Sequence, residues 1–72
     1  MLINTFEYDH DKYGTISVQL DEEYNEIEDV NEVRVWAIYY KGEKESHMTF
    51  NYLEKEDLPE TKVIEKLNKL IK

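Results

Sequence analysis

Few residues in this chain are suited to chemistry. It contains two histidines, His10 and His47, and no cysteine. His10 stands in Asp9-His10-Asp11, whose carboxylates and imidazole are of the types that bind hard or borderline cations. Adjacent side chains in a tight loop do not converge on one ion, and the segment lacks the acid spacing and the glycine of a calcium-binding loop. Because aspartate in turns bonds its own backbone, we interpret these residues as a turn and expect neither a metal nor a cofactor.

Nucleophilic catalysis needs a base beside a hydroxyl or thiol group, and His47 directly follows Ser46. Neighbours on a strand point to opposite faces, so these two side chains cannot work as a pair. The only glycines, Gly14 and Gly42, are too far apart to form a glycine-rich phosphate loop. We therefore expect that the protein is not an enzyme.

The charge of the chain is strongly negative and unevenly divided. The formal net charge is −8, yet residues 1–60 carry 16 acidic and five basic side chains, whereas residues 61–72 carry four lysines against Glu65. Such a protein is repelled by phosphates and by anionic membrane surfaces, so we expect no direct binding to nucleic acid or membrane. A protein partner with a basic surface is favoured.

Length and composition predict one small domain that spans residues 1–72. Hydrophobic residues make up 40% of the 72 residues and aromatic ones 12%, which is enough apolar surface to fold despite the acidity. The sequence shows neither a signal-peptide core nor an apolar run of about 18 residues. We therefore expect a cytoplasmic protein.

The segment that organises the fold is Val33–Tyr40, the longest run of strand-forming residues. Alternation predicts that Val33, Val35, Ala37 and Tyr39 point to one face and that Arg34, Trp36, Ile38 and Tyr40 point to the other. If Gly42 and Glu43 form a two-residue turn, the next strand pairs Ala37 with Met48 and Val35 with Phe50. This register brings apolar residues together on one face.

An earlier hairpin is predicted from Leu2–Tyr8 and Thr15–Leu20, joined by a loop at Asp9–Tyr13 that Gly14 closes. In this register Phe6 pairs with Ile16 and Leu2 pairs with Leu20, so apolar residues share a face. Asn4 then lies opposite Val18.

The chain ends in a predicted helix, which begins at Asp57-Leu58-Pro59-Glu60 with an acid as cap and a proline in the first turn. Its apolar stripe consists of Val63, Ile64, Leu67, Leu70 and Ile71. The stripe needs a partner, and the valine face of the central hairpin provides it. The predicted fold is therefore α+β: a four-stranded, mainly antiparallel sheet of two hairpins with one C-terminal helix packed on one face. The strand order stays open.

Between the predicted hairpins lies an acidic run, Asp21–Glu32, in which seven of twelve residues are acidic and none is basic. We expect an ordered connection, either a helical turn or a loop, anchored to the sheet edge by Tyr24, Ile27 and Val30. One interpretation is a solvated loop. The other is a binding surface for a basic partner, made by Asp21, Glu22, Glu23, Glu26, Glu28 and Asp29.

The second candidate surface is the sheet face that the helix does not need to cover. Arg34, Trp36, Ile38 and Tyr40 share it, and arginine, tryptophan and tyrosine are enriched at binding hot spots. In the alternative interpretation, Trp36 and Ile38 pack under the acidic connection or against a second copy of the chain.

Together these features predict a small acidic protein-interaction domain, an inhibitor or regulator that occupies the basic, nucleic-acid-binding surface of a partner protein. Its carboxylates would stand in for phosphates. Composition of this kind is common among small acidic proteins of phages and mobile elements. The alternative is an assembly subunit that oligomerises, for example as a homodimer, through the Trp36 face. A small enzyme is the third and weakest alternative.

Overall fold

A computed structural model describes residues 1–52 and 59–71. Its elements are β1 (Leu2–His10), β2 (Gly14–Asn25), β3 (Val30–Lys41), β4 (Lys44–Tyr52) and α1 (Glu60–Leu70). The strands form one antiparallel sheet in the order β1-β2-β3-β4. The predicted α+β class is confirmed, and the order that the sequence left open is a simple meander.

The core lies between one face of the sheet and the helix. Its sheet side consists of alternate residues of β2 and β3, namely Ile16, Val18, Leu20, Val33, Val35, Ala37 and Tyr39. Its helix side consists of three residues of the C-terminal segment at helical spacing, namely Val63, Leu67 and Ile71. No polar or charged residue is buried among the described residues. The predicted docking of the helix on the valine face is therefore confirmed.

The predicted β3–β4 hairpin is also confirmed. Ala37 pairs with Met48 and Val35 pairs with Phe50, and the two-residue turn at Gly42 and Glu43 follows from the pairing of Lys41 with Lys44. Gly42 has a φ of 64°, the positive value that the first turn position requires.

The prediction for the acidic run was wrong. Asp21–Glu32 is neither a helical turn nor a loop beside the sheet edge, because β2 continues to Asn25 and β3 begins at Val30, joined by a short turn. Glu22 pairs with Val33 and Tyr24 pairs with Asn31, so the run prolongs the ladder. Pairing with Val30 and Val33 outweighs the low strand propensity of the acidic residues. Ile27 anchors nothing, since it is 93% exposed.

The register predicted for β1 and β2 was wrong by two residues. Phe6 pairs with Val18, Tyr8 with Ile16 and Asn4 with Leu20. The cause is a turn shorter than predicted, because His10 Nδ1 accepts hydrogen bonds from the backbone N–H groups of Lys12 and Tyr13, at 3.0 and 3.3 Å. A shift of two residues leaves the side chains from Asn4 to Tyr8 on their predicted faces. Leu2 was predicted to pair with Leu20 but pairs with Asp21, a residue of the other face, because the register shifts between Leu2 and Asn4.

The helix begins at Glu60, later than predicted, with Pro59 as the residue before it and no side-chain cap. The predicted capping residue, Asp57, lies outside the described residues. Leu70 was assigned to the buried stripe but is 44% exposed. The buried side of the last turn is instead taken by Ile71, whose N–H donates to the carbonyl of Leu67 at 2.7 Å.

Candidate functional site

No described element covers one side of the sheet, which we call the open face. Arg34, Trp36, Ile38 and Tyr40 of β3 lie on it, because they alternate with the buried residues of the core. Trp36 is 39% exposed and Tyr40 is 52% exposed. The acidic run does not fold back over them, since it extends the hairpin instead. The predicted grouping of these four side chains is what the structure shows.

Trp36 sits in the middle of the open face, between Gln19 of β2 and Thr49 of β4. Its ring centroid is 5.7 Å from that of His47, and the two rings are tilted by 51°. Ile38 lies between Ser17 and His47 in the next row. The centre of the open face is thus an aromatic and aliphatic patch framed by polar side chains.

Carboxylates gather where the β2–β3 hairpin extends beyond this patch. We call this region the acidic end, and it consists of Asp21, Glu23, Glu26, Glu28, Asp29 and Glu32. Asp21 lies opposite Arg34 and Glu23 lies opposite Glu32 across the two strands. The second pair sets like charges directly against each other. Among the described residues, no carboxylate lies within ion-pair distance of Arg34.

A shallow hollow of about 360 Å³ opens at the acidic end. Its lining consists of three glutamates, one asparagine, one arginine, one tyrosine and one isoleucine: Glu23, Glu26, Glu32, Asn25, Arg34, Tyr24 and Ile27. Glu32 is held in place because its carboxylate accepts hydrogen bonds from Asn25, at 3.0 Å, and from Asn51. The hollow can receive a cationic side chain.

The hairpin turn at the acidic end is organised by its own side chains. Asn25 Oδ1 accepts hydrogen bonds from the N–H groups of Ile27 and Glu28, at 3.0 and 3.1 Å. The Tyr24 hydroxyl donates to the carboxylate of Asp29, which raises the pKa of Tyr24 above its usual value. Asp29 adopts a left-handed φ of 53°, a conformation that aspartate tolerates. The acidic end is therefore an ordered surface.

The six acidic residues predicted as a binding surface are not all on one face. Asp21 and Glu23 lie on the open face, whereas Glu22 lies opposite Val33 on the helix side. Glu26, Glu28 and Asp29 belong to the turn. Asp21 is partly engaged, because its Oδ1 is 2.7 Å from the α-amino group of Met1, whose pKa this contact raises.

Sequence reasoning missed Glu32 as a site residue. It counted this residue only as the end of the acidic run, because the run was read as a connection outside the sheet. The signal was present in the alternation of β3, since Glu32 lies two residues before Arg34 and four before Trp36 and therefore shares their face. Extending the strand backwards would have found it.

The histidines make no catalytic arrangement in the described part of the chain. Ser46 pairs with Tyr39 and His47 pairs with Ile38, which puts the two side chains on opposite faces as expected. His47 Nε2 instead contacts Glu45 Oε1 at 2.8 Å. Over residues 1–52 and 59–71, no group of three or more potential ligands is placed to hold a metal ion.

The one helix described is too short and too polar to cross a membrane.

No protein-family model matches this chain, and no curated protein or solved structure is similar enough to count as a match.

Proposed function

We propose that this protein is a small acidic interaction protein that inhibits or regulates a partner by occupying its basic, nucleic-acid-binding surface. One observation carries the proposal: an exposed tryptophan and a group of carboxylates share a single uncovered sheet face. The carboxylates supply long-range attraction and the aromatic patch supplies contact area. Long-range attraction alone does not require an exposed tryptophan, and contact area alone does not require a group of carboxylates.

The acidic end provides the electrostatic part of this recognition. Apart from Arg34 and the α-amino group that Asp21 contacts, no cationic group of the described residues stands among its carboxylates, so most of their field is not cancelled locally. Such a field speeds the encounter with a basic surface and is screened over about 8 Å at physiological salt. The hollow between Glu23 and Glu32 gives one lysine or arginine of the partner a defined place to bind.

The aromatic patch provides the apolar part. Trp36 and Tyr40 are rigid side chains with polar tips, a combination enriched at interface hot spots. Arg34 stands between the patch and the acidic end, where it can pair with a carboxylate of the partner or orient Asp21 and Glu23. A partner that covers both regions would be anchored at Trp36 and aligned by charge.

The rival function, assembly through the Trp36 face, would stack two open faces against each other. Both copies carry the same negative charge, so stacking their open faces brings two acidic surfaces together, which costs free energy because like charges repel. We therefore favour a basic partner. A face-to-face dimer would show itself as self-association that Trp36→Ala abolishes.

The test is affinity capture from the source organism with the wild-type protein, followed by measured binding to the captured partner. We expect a basic, nucleic-acid-binding protein whose binding weakens as salt rises and which duplex DNA displaces. Trp36→Ala should remove most of the affinity while the circular dichroism spectrum stays native. A partner whose affinity is indifferent to salt and to DNA would overturn the proposal.

Two double variants with the same change in net charge distinguish the effect of the acidic end on association from the effect of net charge alone. Glu23→Gln with Glu26→Gln neutralises two carboxylates at the acidic end, whereas Glu43→Gln with Glu65→Gln makes the same change in net charge elsewhere. We expect the Glu23→Gln, Glu26→Gln variant to associate with the partner about tenfold more slowly than the wild type, and the Glu43→Gln, Glu65→Gln variant to differ little from it. Equal effects would mean that net charge alone is responsible.

A further inference from the structure

The two edges of the sheet differ in how well they are protected against pairing with another strand. β1 is irregular between Leu2 and Asn4 and carries Glu7 and Asp9. Bulges and charges are the devices by which natural proteins block an edge. β4 has an unbroken register with β3 from Lys44 to Tyr52, with no proline and with charges only at its first two residues.

The backbone groups of β4 that point away from β3 can be assigned from its turn. A two-residue loop makes Lys41 and Lys44 a hydrogen-bonded pair, and hydrogen-bonded and non-hydrogen-bonded pairs alternate along an antiparallel ladder. The N–H and C=O groups that point away from β3 are then those of Glu45, His47, Thr49 and Asn51. These groups form a row that can pair with a further strand.

An apolar strip accompanies this row on the helix side. Among the described residues, the helix makes hydrogen bonds with β1, where Asn4 donates to Glu60 and Tyr8 donates to Asn68, both at 3.2 Å. Toward β4 it places the Lys66 ammonium group 5.1 Å from the ring centroid of Phe50. At the other edge of the sheet, Met48 and Phe50 of β4 are only partly buried although they border the core. A strand added to β4 would therefore gain apolar contact as well as hydrogen bonds.

We propose that the β4 edge is the interface of a homodimer, in which β4 pairs antiparallel with β4 of a second copy to make one continuous sheet. Charge favours a second copy as the occupant. Lys44 and Glu45 give the β4 edge no net charge, and antiparallel pairing sets these two residues of one copy at the opposite end of the interface from the same two residues of the other. Pairing of two β1 edges would instead place the carboxylates of Glu7 and Asp9 from both copies in the interface.

The pairing is isologous, so it closes as a two-fold dimer and does not propagate into a fibre. Met48 and Phe50 of the two copies come side by side and cover each other's exposed edges. The two open faces become one surface with both acidic ends, because antiparallel strands in one sheet keep their faces aligned.

Thr49→Pro tests the interface with Thr49→Val as its control. Proline at position 49 removes an N–H that points outward and leaves the ladder with β3 intact, whereas valine keeps the N–H and the branched shape. Sedimentation equilibrium should show a reversible dimer for the wild type and for Thr49→Val. The dissociation constant of Thr49→Pro should rise by about tenfold or more. A wild type that stays monomeric at millimolar concentration would overturn the proposal.

Amide hydrogen exchange of the wild-type protein provides a readout that does not depend on the proline variant folding. The amides of His47 and Thr49 should become more protected as protein concentration rises, while outward amides of β1 should not change. Concentration-dependent changes confined to Trp36 and Tyr40 would place the contact on the open face and contradict the β4 interface.

Discussion

The two faces of the sheet differ in the polarity and the exposure of their side chains. On the covered face, alternate residues of β2 and β3 join Val63, Leu67 and Ile71 in a core that contains no polar residue among those described. On the open face, the intervening residues include an exposed tryptophan, an arginine and several carboxylates. Because both sets alternate along the same strands, the fold and the candidate site are encoded in neighbouring positions. A substitution one residue away therefore tests a different property.

The largest expected effect is on the covered face. Leu67→Ala should lower the free energy of unfolding by about 2 to 5 kcal/mol, since it removes a fully buried side chain from the centre of the core. In a domain of this size that is a large part of the stability. Urea denaturation measures the loss.

Leu70→Ala is the matched control for this change. It makes the same substitution in the same helix at a side chain that is 44% exposed. Its cost should be well under half that of Leu67→Ala. Equal losses would contradict the packing of the helix described above.

A smaller effect of opposite sign is expected on the open face. Glu23→Gln should raise the free energy of unfolding by about 0.2 to 1 kcal/mol, because Glu23 faces Glu32 across the strands and the change relieves repulsion. The gain should shrink in high salt, where charges are screened. Glu43→Gln, in the opposite turn, should leave the stability nearly unchanged. A loss of stability in Glu23→Gln would mean that the carboxylate has a structural partner.

The smallest effect concerns titration at the acidic end. The Tyr24 hydroxyl donates to Asp29, which favours the neutral phenol and raises its pKa. The stabilisation from this contact is therefore present below the usual tyrosine pKa of about 10 and is lost as the pH rises through the raised value. In Asp29→Asn, which tolerates the same backbone conformation, the pKa of Tyr24 should fall. Carbon-13 NMR of the tyrosine ring measures it, and an unchanged pKa would rule out the contact.

Much of the covered face could be predicted from the sequence. The alternation in Val33–Tyr40 and the two-residue turn at Gly42 predicted both the buried face and the pairing of β3 with β4. The candidate site was predicted in part: Arg34, Trp36, Ile38 and Tyr40 do share an uncovered face, while Glu22 was wrongly grouped with Asp21 and Glu23. That error followed from reading the acidic run without strand alternation.

By itself, the sequence determined which side chains share a face wherever apolar alternation was strong, because a slip of one residue would expose the buried set. It determined which side chains oppose one another only between β3 and β4, where the two-residue turn at Gly42 also sets the register. It also determined the separation of negative charge from the lysine-bearing helix. Only the tertiary structure decided that the acidic run continues β2 and β3, since acidic residues have low strand propensity and only pairing with an established partner strand extends the ladder. Likewise, the β1–β2 register depended on the hydrogen bonds that His10 makes to its own turn. Such side-chain contacts with the backbone leave no periodic signal in the sequence.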